Sequence, residues 1–204
     1  MANPGLPVDI LFAGGRLCLD FVNSLCNRLG ARLDLLESPD ELKTWLRMAE
    51  SVYEQPLCPE EQVWTDNYGN RMLARAIRLR AALNELMTSV RESRSASAEA
   101  VAVVNEELRA NPQSLRLSAD ANGFGQSTTN TNDQERWITR IAEDAVDFLT
   151  NMDRSLLKQC EHVSCIRVFY DTSKNHTRRW CVERCGNRTR AAAQYRRKKA
   201  ASRA

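Results

Sequence analysis

Apolar residues recur along most of this chain three or four positions apart, the spacing of a helix face, and alternate only briefly. The clearest start is Ser38-Pro39-Asp40-Glu41: Ser38 can cap a helix, Pro39 suits its first position, and Glu41 completes a capping box. Leu42, Trp45, Leu46 and Ala49 then form one apolar face. Upstream, Gly14-Gly15 marks a turn, and Phe21, Val22 and Leu25 predict a helix ending near Gly30; Ile10-Leu11-Phe12 reads as a short strand. Beyond Pro56 and Pro59 a helix is predicted from Asn70 to Arg91. Leu73, Ile77, Leu83, Leu86, Met87 and Val90 lie near one stripe there, with Arg71, Arg75, Arg78 and Arg80 mostly outside it. Ser97 to Ala110 predicts another helix, stopped by Asn111-Pro112. Leu115-Arg116-Leu117 alternates like a strand, Asn122-Gly123 is a hairpin turn, and 127–132 reads as polar loop. Asp133 to Asn151 is helical, with Trp137, Ile138, Ile141, Ala145, Phe148 and Leu149 inward. There is no internal repeat, and no apolar run approaches the length of a membrane span.

After Asn151 the pattern changes. The total charge of +3 is unevenly spread: residues 154–204 carry 14 Lys and Arg against three acids, a net +11, which leaves −8 on residues 1–153. An acidic body, 1–153, joined to a basic end, 154–204, predicts two domains, the second binding a polyanion. The plainer reading is a basic tail that aids solubility. The N-terminus lacks a basic segment followed by an apolar one, so no secretory signal is expected and the predicted location is cytoplasmic.

Four of the seven cysteines fall within 26 residues, as Cys160-x4-Cys165-x15-Cys181-x3-Cys185. Two close pairs about 15 residues apart have the arithmetic of a zinc site: each short loop turns two sulfurs toward one ion, and two loops complete a tetrahedron. Four thiolates leave no open position, so one structural Zn2+ is expected. A redox switch and an iron–sulfur cluster remain alternatives, though neither pair is Cys-x-x-Cys. His162 and His176 could compete as ligands. Between the pairs, 166–170 is rich in strand formers, Asp171-Thr172-Ser173-Lys174-Asn175 is turn chemistry, and Thr177 to Trp180 can return as a second strand. Arg188 to Ala204 is rich in helix formers. Knuckle, hairpin and helix is a treble-clef-like order in so small a unit that the metal must supply much of its stability.

Trp180-Cys181-x3-Cys185-Gly186-Asn187-Arg188, with Phe169-Tyr170-Asp171-Thr172-Ser173 and Arg178-Arg179 before it, resembles the CGNR zinc finger. Gly15-Arg16-Leu17-Cys18-Leu19-Asp20-Phe21-Val22-Asn23, Asp34-Leu35-Leu36 and Ser38-Pro39-x-x-Leu42-x-x-Trp45-Leu46 resemble the ABATE domain. Together the two resemblances cover nearly the whole chain. They imply a bacterial, stress-induced transcription regulator. The expected fold is α+β and predominantly α: a helical N-terminal domain with a small β element, then a C-terminal zinc finger of knuckle, β-hairpin and basic helix.

The function expected is zinc-dependent binding of double-stranded DNA, with the N-terminal domain sensing a small-molecule effector or forming a homodimer. Arg188, Arg190, Arg196, Arg197, Lys198 and Lys199 on the basic helix, and Arg178 and Arg179 beside it, are the candidate phosphate or base contacts. Asn187 and Arg188 could instead brace the metal module. The alternative is an adaptor for RNA or protein in which the finger is a scaffold, with Phe169, Tyr170 or Tyr195 stacking on unpaired bases. No catalysis is expected: the body has no histidine, and Gly14-Gly15 is too short for a phosphate loop. Arg16, Asp20 and Asn23 share a helix face and are candidate ligand-binding residues, or else an ion pair with a cap.

Overall fold

The computed structural model describes residues 12–28, 30–57, 64–120, 123–130 and 132–202. Its first helix is shorter than the apolar spacing predicts: α1 is Leu17–Val22, all six residues buried. Asn23 and Ser24 stop it by directing their side chains to backbone groups, Ser24 to the carbonyl of Phe21 at 2.7 Å and Asn23 to a distant strand. The chain then forms β1 (Leu25–Arg28) and β2 (Ala31–Asp34), paired antiparallel with Leu25 opposite Asp34 and Arg28 opposite Ala31. Gly30 in the connection has φ +88°, which glycine adopts without a steric penalty. The expected strand at 10–12 falls almost wholly outside the described residues.

Helix α2 (Pro39–Tyr53) begins as predicted. The Ser38 hydroxyl accepts the N–H of Glu41 at 3.2 Å. The Glu41 carboxylate reaches back to the N–H of Glu37 at 3.0 Å. Helix α3 (Asp66–Arg91) starts four residues before the expected Asn70, because the Thr65 side chain accepts the N–H of Tyr68 and caps an extra turn. Its buried face is Met72, Ala76, Leu79, Leu83, Leu86 and Met87 together with Arg80, while Ile77 stands 41% exposed. Arg80 moves inside because Asp34 neutralises it through two bonds of 2.6 Å.

Helix α4 (Ala98–Ala110) is capped by Ser97. The ladder of β3 (Gln113–Asp120) and β4 (Gly123–Asn130) follows, longer than predicted and taking in the polar residues 127–130. The Asn122-Gly123 turn lies partly outside the described residues. Asn111 staples the open end of this ladder, its amide bonding both backbone groups of Asn132 at 2.8 and 2.9 Å. Helix α5 (Arg136–Asn151) buries Trp137, Ile138, Ile141, Ala145 and Phe148 against α1, α3 and α4. No described helix is long and apolar enough to cross a membrane.

The last region contains β5 (Leu157–Gln159), β6 (Val168–Tyr170) and α6 (Glu183–Ala201). β5 and β6 pair antiparallel, so the hairpin spans the first cysteine pair. The expected return strand at Thr177–Trp180 is not one; that segment crosses the knuckle as loop. Leu157 and Val168 belong to the main core with Phe21 and Trp137. Tyr170 sets its ring edge-on to Phe148 at 5.2 Å.

Candidate metal centre and basic helix

Cys160 and Cys165 lie between β5 and β6, Cys181 just before α6, and Cys185 in its first turn. Backbone bonds fold these loops onto each other. Cys160 N–H donates to Arg167 at 2.9 Å, Cys165 N–H to His162 at 2.8 Å, and Glu161 N–H to Arg179 at 3.0 Å. All four sulfurs lie within 4.8 Å of one another. Cys165 to Cys181 is 3.7 Å and Cys181 to Cys185 is 3.8 Å. A tetrahedron with zinc–sulfur distances of about 2.3 Å has edges of about 3.8 Å, so the donor set fits zinc in type and spacing.

The thiols cannot all ionise unaided. Hydrogen bonds from Cys165 and Cys181 hold the Cys160 thiol well below its ordinary range. The bond to Cys160 pushes Cys165 up to about 12 and Cys181 higher, with burial adding to both. A divalent cation would displace those remaining protons. Neither histidine joins the cluster. His162 Nδ1 faces the N–H of Ser164 at 3.3 Å, and exposed His176 turns its Nδ1 to the Asp171 carbonyl at 3.1 Å. Buried Arg167 lies beside the sulfurs and donates to Cys26 Sγ at 3.4 Å, supplying positive charge near a four-thiolate site.

Asp171 fixes the loop between the pairs. Burial pushes its carboxyl up, but bonds from Lys158 (2.6 Å), Ser173 and the N–H of Arg178 (2.9 Å) outweigh this and hold it well below the usual carboxylate range. Trp180 covers the start of α6. Arg179 and Arg190 lie over its ring at 5.2 and 5.4 Å. Gly186 faces the same ring, where a Cβ would come within 2.9 Å of it.

The basic residues divide into two groups. Arg178, a candidate phosphate contact, is half-buried and braces the finger. It donates to the carbonyls of Trp180 (3.0 Å), Ala13 (3.2 Å) and Cys181 and stacks on Phe169 at 4.5 Å. Arg179 pairs with Glu161, and Arg190 donates to Asn187 at 2.5 Å. Asn187 therefore orients Arg190, while Cys185 carries the metal contact. Arg196, Arg197, Lys198 and Lys199 are exposed on α6, in which Gly186 is the one buried residue. At 100° per residue, Arg184, Arg188, Tyr195 and Lys199 follow one face. Arg184 escaped the sequence reading because it stands between the last two cysteines; its place one turn before Arg188 was the available signal.

Asp20 and Asn23 meet, hydrogen-bonded to each other beside Gly14, whereas Arg16 is taken up by a different element. Arg16 pairs with Asp144 and Asp147 at 2.7 and 2.6 Å on α5. Asp20 accepts the N–H of Gly14 at 2.7 Å and the Tyr53 hydroxyl; burial raises its carboxyl to about 6 against the pull of those bonds. Asn23 clamps Val168, donating to its carbonyl at 2.8 Å and accepting its N–H at 2.9 Å.

Residues 15–152 match the ABATE family model, described as "Putative stress-induced transcription regulator". Residues 157–198 match the CGNR zinc finger model. No curated protein matches the chain.

Proposed function

The chain belongs to the ABATE family and ends in a CGNR zinc finger, and from that premise we propose that it is a transcription regulator whose finger binds double-stranded DNA. One observation carries this reading: a four-cysteine cluster that fits zinc fixes the root of an exposed helix in the +11 segment. A helix of 19 residues is about 28 Å long, enough to lie in a major groove. Arg184, Arg188, Arg196, Arg197, Lys198 and Lys199 are its candidate DNA contacts; Arg178 is assigned to bracing. Residues 1–153 then serve as the regulatory body on which the finger is seated.

The test is titration of the full-length, zinc-loaded chain onto labelled duplex DNA across a salt series. With about six phosphates contacted, the slope of log K against log salt is expected near −5, reduced by about one when Lys199 becomes Ala. Absence of salt-dependent duplex binding would end the reading. The whole chain is required because Leu157 and Val168 lie in the body's core. Tyr195, 66% exposed amid the basic residues, favours a second reading in which unpaired bases stack on it. Tighter binding to single strands than to duplex, lost in Tyr195→Ala, would select that alternative.

A further inference from the structure

We propose that the cleft where the finger meets α3 and the β1–β2 hairpin binds a small amphiphilic carboxylate. The open cleft holds about 670 Å³ and is lined mainly by the body, with Gln159 and Ile166 of the finger completing it. That size suits a small ligand. The body contributes Val22, Leu25 and Ile77, and the finger contributes Ile166 and Gln159. Ile77 and Ile166 are each 41% exposed, so two branched apolar side chains from different parts of the molecule remain uncovered along one cleft.

The charges in the cleft fix the sign of the ligand. Arg80 is neutralised by Asp34. Glu92 is engaged by Arg94 at 2.9 Å. Arg32 and Arg91 line the same cleft and form no ion pair among the described residues. Arg91 instead donates to the neutral side chain of Gln159, and partial burial lowers its proton affinity more than the neighbouring Glu92, which Arg94 already engages, restores it. Asn84 and Thr88 add neutral polar groups to the lining. A carboxylate among Arg32 and Arg91, with its hydrocarbon against Ile77 and Ile166, satisfies both halves of this lining.

Such a ligand touches body and finger together, and so favours their docked arrangement over any other. This regulatory sense rests on the regulator reading above; the binding site does not. Calorimetric titration with octanoate, beside octanamide as a neutral analogue of equal length, tests the site without DNA and is indifferent to whether duplex binds. Saturable one-to-one binding of octanoate is expected, about tenfold or more weaker for octanamide and for Arg91→Gln. Arg32→Gln, on an exposed strand whose loss leaves the core intact, is expected to weaken octanoate similarly. Arg71→Gln, which removes a cation paired with Glu135 outside the cleft, leaves it unchanged. No saturable binding, equal binding of the amide, or affinity unaltered in both cleft variants overturns the proposal.

Discussion

Gly186 shows how one missing methyl shapes the finger. Its helix backbone lies against the Trp180 ring, and a Cβ would meet two ring carbons at 2.9 and 3.1 Å. An indole held by Arg179 and Arg190 cannot give way as a flexible chain end would. Gly186→Ala is therefore expected to destabilise the finger by about 1–3 kcal/mol despite alanine's better helix propensity, and to weaken zinc retention in chelator competition. Unchanged zinc affinity would show that the ring moves freely. Asp20 makes a second prediction. Its carboxyl ionises near 6 in the fold and near 3.8 unfolded, so between those values the folded state holds more protons. Its contribution to stability thus falls as pH rises through that window, by about 3 kcal/mol in all, and the loss persists above it. In Asp20→Asn this slope should vanish. The difference between the two denaturation free energies, measured from pH 4 to 7, isolates it from carboxylates such as Asp34 that titrate the other way.

At the scale of elements, what was legible in the sequence was local. The start of α2 was readable because Ser38, Pro39 and Glu41 act within one turn, and α5 because its apolar face is continuous. The cysteine ligand set was readable from spacing alone, since two tight loops leave a metal few other geometries. Elements decided by distant partners were not readable. Helix α1 stops at Val22 because Asn23 is needed by Val168, and Arg80 is internal because Asp34 waits for it. The return strand at 177–180 is replaced by β5, whose three residues carry no strand signature apart from β6. Helix α6 has a different weakness. Its last three turns touch little else, so it depends on its own alanines and on an anchored first turn. Zinc removal by a strong chelator is expected to abolish helical circular dichroism equivalent to about these 19 residues. A signal unchanged on chelation would mean that α6 stands without its anchor.

At the scale of the whole molecule, the finger keeps a small cluster of its own around Phe169, yet its two strands join the body's core, although composition and charge divide the two sharply. The knuckle is closed at its base by β5 and β6, and those strands send Leu157 and Val168 into the core that holds Phe21 and Trp137. Further bonds cross the seam, among them the two between Asn23 and Val168, one from the N–H of Tyr170 to Gly14 at 2.9 Å, one from Arg178 to Ala13, one from Arg167 to Cys26 and one from Arg91 to Gln159. Loss of the ion should therefore loosen β6 and uncover part of the body, so that zinc raises the stability of residues that never touch it. Trp45, Trp64 and Trp137 are buried in the body, and Trp180→Phe leaves them as the fluorescence reporters. In that background, chelation is expected to lower the body's melting midpoint. A matching midpoint with and without zinc would mean two independent units. Coupling must also act in the opposite direction. Asn23→Ala removes both partners of a buried strand residue, at a cost of about 2–4 kcal/mol. It should then weaken zinc binding although Asn23 is not a ligand. If Asn23→Ala destabilises the body yet leaves zinc affinity unchanged, the seam transmits nothing. If both fall together, the state of the body sets the posture of the basic helix, which is the physical requirement for a ligand at the seam to govern what that helix binds.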